Sequence, residues 1–389
     1  LINRHPNLRA AFRTRGTNHP IQIIPRHTTI PFTEHNLTHL TPTQAQTQLT
    51  HIINTDRTTR FDPTTPPLIR ITLTHLTPTT HHLLISNHHI LLDGWSMPLA
   101  IRELFTLYQT NGNDTHLPTP TPYRNYLTWL TRQNPHTSTT TWKNHLHNLT
   151  QPTLLTPHTT HHTPTPPHSH HTTLPTHTTQ TLRTQLRTHG LTLNTAVQTA
   201  WTLLLTHYTG HHDIVFGTTV SGRPPEIPGI EDMIGLFINT IPTRATTHPN
   251  DTLLTLMHRL QNQQATLLDH HHTSLTTITN QTPHPQLFDT TLVFENYPIQ
   301  QNTLTHPAPG LTTTHTQAHD GIHYPLNLIA AHNPTTDTLH LRLIHNPHTY
   351  DTPTAHRITN HLTHLLTTIA NHPHQPLTHT TPLTPHEQE

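Results

Sequence analysis

The 389-residue sequence contains no cysteine. Disulfide bonds, a cysteine nucleophile and cysteine-based zinc sites are therefore excluded, and the composition fits the reducing cytoplasm, where we expect the protein. Charged residues are also scarce: Asp, Glu, Lys and Arg make up only 10% of the chain, with a formal net charge of zero. Nucleic-acid binding needs clustered Lys and Arg, so no nucleic-acid partner is expected. No apolar run of about 18 residues is present, so the sequence predicts no membrane span and no membrane partner.

In place of charge, the chain carries 47 histidines and 38 prolines, with threonine throughout. Its length exceeds the roughly 250–300 residues at which one hydrophobic core stops growing, so two lobes are expected. Residues 150–173, TQPTLLTPHTTHHTPTPPHSHHTT, are rich in proline and lack periodicity, which predicts a linker. We therefore predict an N-terminal lobe over 1–149, a C-terminal lobe over 174–380 and an exit linker over 381–389.

Both lobes are predicted to mix helices with strands. Turn residues and apolar patterning predict strands at 68–76 and 81–89, joined by the turn TPTT. After Gly94 the pattern changes to a period of 3.6 residues, which predicts a helix with Ser96 as its N-cap. The other predicted elements are helices over 1–12, 43–53, 180–189, 194–207, 253–268 and 354–370, and strands over 21–25, 213–220, 290–296, 324–331 and 339–346.

The stretch SNHHILLDG, residues 86–94, places two histidines at the end of an apolar strand, ahead of a loop and a helix start. Side chains at strand ends can be rigidly held and still reachable. Adjacent strand residues point to opposite faces, so only one of His88 and His89 can face a given cleft. Gly94 permits the close approach of another group to the backbone. A histidine pair alone carries little weight in this chain, so the flanking residues decide its interpretation.

The string NHHILLDGWSM resembles the HHxxxDGWS motif of condensation domains in nonribosomal peptide synthetases, members of the chloramphenicol-acetyltransferase-like superfamily. Other segments are similar to family motifs and occur in the family's order: RHPNLRAAF (4–12), YRNYLTW (123–129), SGRPPEIPGIEDMIGLFINTIPTR (221–244), LLDHHHTSL (267–275), FDTTLVFENYP (288–298) and YPLNL (324–328). The resemblance spans nearly the whole chain. It departs from the family at Asn125, where aspartate is usual, and in lacking the opening helix and first strand, so we expect an N-terminally truncated first lobe.

This resemblance implies an α/β fold of two chloramphenicol-acetyltransferase-like lobes in a V arrangement, with the HHxxxDG loop at the middle of a central tunnel. It also implies an upstream donor and a downstream acceptor peptidyl carrier domain, each presenting a thioester on a phosphopantetheine arm. The acceptor amine would attack the donor acyl thioester and form an amide. No directly bound cofactor is implied, and the closing TPLTPHEQE looks like the exit toward an adenylation domain in the same chain.

Within the motif, the resemblance gives His89 the central role, either as general base or as the group that orients the amine. An imidazole with a pKa near 6.5 can exchange a proton at neutral pH. Asp93 is expected to form a structural ion pair with Arg9 or Arg4, and Arg9 is preferred. A guanidinium can bind a carboxylate through a bidentate contact, which suits a buried ion pair. His88 is expected to be structural. The predicted catalytic motif comprises His88, His89, Asp93 and Gly94.

A further set of residues in the matching motifs is predicted to line the tunnel or to brace the lobes. These residues are Trp95, Ser96, Ser221, Arg223, Asn239, Thr240 and Arg244. No metal site is predicted at DHHHTS, residues 269–274, because three consecutive histidines cannot all converge on one tetrahedral ion from regular structure.

Three alternative functions remain open from the sequence. An epimerisation-type variant would share HHxxxDG, although IGLFINTIPTR resembles the condensing form. A catalytically silent recruitment or scaffolding module would usually carry a degraded motif, whereas this one is intact. A standalone transferase using coenzyme A would be favoured by a free chain start and by the lack of an LTPHE-type exit. This sequence contains such an exit in TPLTPHEQE.

Overall fold

The computed structural model describes residues 1–14, 20–156, 165–296, 307–319, 321 and 323–389. The chain divides into two compact units. The first comprises Leu1–Gln133, Arg223–Phe237 and the described part of 297–318, and the second comprises Asn134–Gly222, Ile238–Asn296 and His319–Glu389. These boundaries differ from the predicted lobes, because residues 134–149 belong to the second unit and 223–237 to the first.

The first unit contains a three-stranded sheet in the order β3, β4, β5, formed by Phe32–Asn36, Ile69–His75 and His81–Asn87. β3 pairs parallel with β4, and β4 pairs antiparallel with β5, which confirms the two strands predicted on either side of TPTT. A separate pair joins β1 (Ala11–Arg13) to β2 (Ile21–Ile23). The helices described in this unit are α1 (Pro42–Thr58), α2 (Ser96–Gln109) and α3 (Arg124–Thr131).

A buried apolar cluster holds the end of β5 and the loop that follows it. Leu91 and Leu92, which lie between the histidine pair and Asp93, are 0% and 3% exposed. They pack with residues from the chain start, β4, α2 and the segment 223–237: Leu8, Ala10, Leu68, Ile69, Ala100 and Ile234. Burial of a leucine side chain contributes about 2 kcal/mol to stability, so these two residues anchor the loop firmly.

The second unit contains a six-stranded sheet in the order β6, β11, β10, β9, β7, β8. Its strands are β6 (His168–Leu174), β7 (Asp213–Val220), β8 (Asn239–Thr246), β9 (Thr290–Glu295), β10 (Leu326–Asn333) and β11 (Thr338–His345). Its described helices are α4 (Pro135–His145), α5 (Thr176–Thr188), α6 (Leu193–Thr209), α7 (Leu253–Leu267), α8 (Leu275–Thr279), α9 (Thr352–Asn371) and α10 (Pro385–Gln388). Leucines from α5, α6, α7 and α9 pack with apolar residues of the strands to form its main core.

Threonine can fill buried helix positions here because its hydroxyl bonds within its own helix. In α6, Thr199 and Thr202 are fully buried, and their hydroxyls donate to the carbonyls four residues earlier at 2.9 and 2.8 Å. Thr359 in α9 is also fully buried and does the same at 3.2 Å. A buried hydroxyl without a partner is costly, and this local bond removes the cost. A threonine-rich chain can therefore still form a packed core.

Three predictions of local structure are wrong. The predicted opening helix is only a 3₁₀ turn at Pro6–Arg9, and Ala11–Arg13 forms a strand, because Phe12 N donates to Pro63 O and the strand pairs with β2. The predicted linker overlaps strand β6, because residues 168–173 pair antiparallel with β11. Residues 157–164 of that linker lie outside the described residues. Ser96 is the first residue of α2, not its N-cap, because its hydroxyl is bonded elsewhere.

The closing segment, predicted as an exit linker, contacts the second unit. Its last helix begins after Thr384 and carries Glu387, whose carboxylate lies 3.1 Å from His361 Nε2 on α9. None of the helices in the described ranges has both the length and the apolarity needed to cross a bilayer.

Candidate functional site

β5 ends at Asn87, and the histidine pair follows directly. The backbone N–H of His88 donates to Leu68 O at 2.9 Å, and its Nδ1 accepts from Ile90 N at 3.1 Å. His89 lies in the next turn with an exposed side chain. His88 is thus held by its neighbours, whereas the imidazole of His89 can be reached by a second molecule.

Asp93, four residues beyond His89, is 1% exposed. Its Oδ1 accepts from Ser96 N at 2.8 Å, and its Oδ2 accepts from Phe237 N at 3.0 Å. Arg223 Nη2 lies 3.4 Å from Oδ1. Both carboxylate oxygens are therefore engaged in holding the loop to residues of the segment 223–237. Gly94, the next residue, is exposed.

The predicted ion pair of Asp93 with Arg9 or Arg4 is wrong. Arg9 donates to two backbone carbonyls, Pro25 O at 3.0 Å and Ile2 O. Arg4 donates through Nε to Glu103 at 3.1 Å and also contacts Asp114 and Pro118 O. Glu103 is a buried carboxylate on α2, and the chain start supplies it with both Arg4 and His5. The arginines of the opening turn are thus used to anchor α2 and the chain start.

Ser96 forms hydrogen bonds with both Arg223 and Gly235, two residues of the segment 223–237. Its buried hydroxyl donates to Gly235 O at 2.8 Å and accepts from Arg223 Nη2 at 2.8 Å and from Gly235 N at 3.1 Å. Arg223 Nη1 donates in addition to the carbonyls of Ile230 and Met233. One buried guanidinium therefore connects the motif loop with two turns of the segment 223–237.

Aromatic side chains enclose this guanidinium, whose side chain is only 4% exposed. Arg223 Cζ lies 3.9 Å from the centroid of the Phe237 ring and 5.4 Å from that of Trp95. Trp95 Nε1 donates to Glu231 O at 2.9 Å, which fixes the indole over the same segment. Burial lowers the pKa of Arg223, and it raises the pKa of the neighbouring Tyr126 to about 12. Both groups therefore keep their ordinary protonation state at neutral pH.

The other predicted tunnel residues belong to the second unit, where three of them hold local structure. Asn239 Nδ2 donates to His271 O at 2.8 Å and to Thr273 O at 2.6 Å, so it fixes the turn after α7. Thr240 pairs with Thr219 in the ladder between β7 and β8. Arg244 is the third of these residues, and it contacts Asp213 on β7 and the end of α4. Ser221 follows β7 directly and is exposed.

Arg244 joins strand β7 to the end of helix α4. Its Nε and Nη2 donate to the two carboxylate oxygens of Asp213 at 2.9 and 2.7 Å. Its Nη1 donates to His145 O at 3.0 Å and His147 O at 2.8 Å. The last carbonyls of a helix have no partner within the helix, and a cation there stabilises the helix end. Arg244 is therefore a brace of the second unit.

Two of the three consecutive histidines of the second unit, His270 and His272, contact hydroxyl groups of α4. His270 Nδ1 lies 3.0 Å from Ser138 Oγ, and His272 Nε2 lies 3.3 Å from the same oxygen. His270 Nε2 also lies 3.3 Å from Thr141 Oγ1. Within the described part of the chain, no group of three or more His, Asp or Glu side chains has the arrangement of a metal site.

The lowered pKa values of His145 and His271 in the second unit lead us to predict a loss of stability in acid. Burial, followed by repulsion from Arg244, lowers the pKa of His145 to about 4. Burial, followed by repulsion from His270 and His272, lowers the pKa of His271 to about 4. In the unfolded chain both imidazoles take up a proton near pH 6.5. The unfolded state thus binds more protons, and the free energy of unfolding falls as the pH drops from about 6.5 to about 4.

We expect each of these two groups to contribute on the order of 2 kcal/mol to this loss. Urea unfolding at pH 7.5, 6 and 5, followed by circular dichroism, measures it. The variant His145→Gln should show a smaller pH dependence than the native chain, and the exposed His116→Gln is the matched control. An unchanged pH dependence in His145→Gln would contradict the assignment.

The structure adds three residues to the site that were not singled out from the sequence: Gly235, Phe237 and Tyr123. Gly235 accepts or donates three of the hydrogen bonds to the motif loop. Tyr123 donates its hydroxyl to Leu236 O. All three residues lie within segments that match family motifs, but only the fold shows that these segments meet near Asp93.

Known proteins resemble this chain in sequence and in fold. The family profile described as Condensation domain matches residues 1–389. A linear gramicidin synthase protein of Brevibacillus parabrevis is 33% identical over 384 residues, which cover 96% of this chain but only 8% of that protein. Chondramide synthase of Chondromyces crocatus is 34% identical over 344 residues, which cover 87% of this chain and 9% of that protein. The chain therefore corresponds to a small part of each relative.

Two solved structures share the fold. The X-domain from teicoplanin biosynthesis matches with a TM-score of 0.83 at 21% identity, over 98% of this chain and 87% of that one. The starter condensation domain of rhizomide synthetase matches with a TM-score of 0.80 at 18% identity, over 98% and 86% of the two chains. The predicted mixed α/β fold of the chloramphenicol-acetyltransferase-like type is thereby confirmed.

Proposed function

Because the chain belongs to the condensation domain family, we propose that it forms peptide bonds in a nonribosomal peptide synthetase. It would transfer a donor acyl or peptidyl group from a carrier-bound thioester to the amine of a carrier-bound aminoacyl acceptor. The observation that carries this proposal is the intact motif: an exposed His89 on a turn that is anchored by the buried Asp93. This arrangement makes one imidazole available to a substrate and holds the loop around it in place.

In the proposed reaction the acceptor nitrogen attacks the carbonyl carbon of the donor thioester. The carbon–sulfur bond breaks, an amide bond forms, and the thiolate of the donor arm leaves. His89 can accept the proton released by the attacking nitrogen and return it to the leaving sulfur, or it can orient the amine and stabilise the charged intermediate. Asp93 takes no part in proton transfer in this proposal, because its two oxygens are bonded to Ser96, Phe237 and Arg223.

The proposed partners are an upstream donor and a downstream acceptor carrier domain, with an adenylation domain in the same protein. The substrates would arrive on phosphopantetheine arms, so the chain itself would need no resident cofactor. The length of the relatives supports this context, because the linear gramicidin synthase protein is far longer than the part that this chain matches.

The test of this function is amide formation between two loaded carriers. The chain is mixed with an aminoacyl donor carrier and an aminoacyl acceptor carrier. Intact-protein mass spectrometry then follows the carriers. A dipeptide on the acceptor supports the proposal. Racemised donor without a dipeptide would indicate the epimerisation-type variant. Acyl transfer from coenzyme A would indicate the standalone transferase, and the absence of any reaction would indicate the silent module.

A further inference from the structure

We propose that Tyr123 is a positioning residue for this reaction. It sets the backbone of residues 235–237, and that backbone holds the loop that carries His89. The inference rests on the proposed function, because the position of the loop affects a rate only if His89 acts on the substrate. Tyr123 lies immediately before α3, 34 positions beyond His89 in the chain, so its link to the loop comes only through the fold.

Gly235 is the point at which Tyr123 meets the segment 223–237. A Cβ added to Gly235 would lie 2.2 Å from Cδ2 and 2.4 Å from Cε2 of Tyr123. The tyrosine ring therefore packs directly on the glycine backbone, which no residue with a side chain would permit at this distance. The phenol hydroxyl then donates to the next carbonyl along the chain, that of Leu236.

The same backbone also forms hydrogen bonds with the motif loop. Gly235 O accepts from Asp93 N at 3.1 Å and from Ser96 Oγ at 2.8 Å, and Gly235 N donates to Ser96 Oγ at 3.1 Å. Phe237 N donates to Asp93 Oδ2 at 3.0 Å. Four hydrogen bonds thus connect residues 235–237 to Asp93 and Ser96, which lie at the two ends of the turn DGWS.

The ring of Tyr123 also contacts Phe237, edge to face, with 5.1 Å between the ring centroids. Phe237 in turn lies against the guanidinium of Arg223. Loss of the Tyr123 ring would therefore release Gly235 and Phe237 together, and with them the anchor of the loop. Misplacing a reacting group by about 1 Å can cost on the order of 100-fold in rate. We expect Tyr123→Ala to lower kcat roughly 10- to 100-fold, with little change in KM for the acceptor carrier.

A double-variant comparison separates this positioning effect from general damage. Gly235→Ala places a methyl group against the native ring and should lower kcat about as much as Tyr123→Ala. In Tyr123→Ala/Gly235→Ala the methyl group occupies vacated space, so kcat should be no lower than in Tyr123→Ala alone. Losses that multiply in the double variant would overturn the proposal. Tyr123→Phe keeps the ring and should retain most of the rate, and the 66% exposed Tyr108→Phe is the control.

A second measurement reports on the loop without any reaction. Amide hydrogen exchange should accelerate at residues 88–97 in Tyr123→Ala, and it should stay at the native level in Tyr108→Phe. If the native chain forms no amide, the proposed function fails, while the exchange data still show whether Tyr123 holds the loop. If the native chain is active and Tyr123→Ala keeps both its rate and its exchange pattern, the inference is overturned.

Discussion

His89→Ala should lower the rate of amide formation roughly 10²- to 10⁴-fold, the range that positioned acid–base groups contribute. The stability of the variant should stay within about 0.5 kcal/mol of the native value, because the side chain is exposed and removing it leaves no buried cavity. The two-carrier assay followed by mass spectrometry measures the rate, and urea unfolding measures the stability. A loss of rate without a loss of stability is the signature of a group that acts on the substrate.

The controls for this prediction come from the chain's other histidines. His116 is also exposed in the first unit, so His116→Ala should leave both the rate and the stability unchanged. His88→Ala removes an acceptor for Ile90 N and should reduce stability as well as rate. Near-native product from His89→Ala would remove His89 from its central role and would favour proton transfer by the substrates themselves.

The second large effect is expected at the buried pair of Asp93 and Arg223. Arg223→Ala leaves a buried carboxylate without its cation, and removing one partner of a buried ion pair costs about 3–5 kcal/mol. Asp93→Asn should lower the free energy of unfolding by a comparable amount. The new amide NH2 group is a donor, and in either orientation it would face another donor, either Phe237 N or the donors that now bond to Oδ1. Urea unfolding of the two single variants and of Asp93→Asn/Arg223→Ala measures these costs and their coupling.

Arg9→Ala provides the comparison for this pair, because Arg9 donates to backbone carbonyls and not to Asp93. Its effect on stability should not change when Asp93→Asn is present, whereas the effect of Arg223→Ala should shrink markedly. Coupling of Asp93 to Arg9 and not to Arg223 would contradict the structure. An Asp93→Asn variant that is fully stable but inactive would assign Asp93 a direct part in the chemistry.

The sequence by itself determined the family, the motif and many of the regular elements. Strands β4, β5 and β7 were predicted within two residues of their ends, because their apolar residues and flanking turns are local signals. Residues 86–94 and their flanks singled out the histidine pair and the loop that follows it. Such features depend on neighbours in the chain, and a linear pattern records them.

Tertiary structure alone decided which groups meet. Arg223 pairs with Asp93 across 130 positions, whereas Arg9, the partner predicted from the sequence, donates to backbone carbonyls. Strand β6 was not predicted from its proline- and histidine-rich stretch, because its polar residues form a strand only through backbone pairing with β11. The partner of a buried charge and the pairing of an edge strand depend on burial and on the approach of distant backbone. Neither produces a periodic pattern in the sequence.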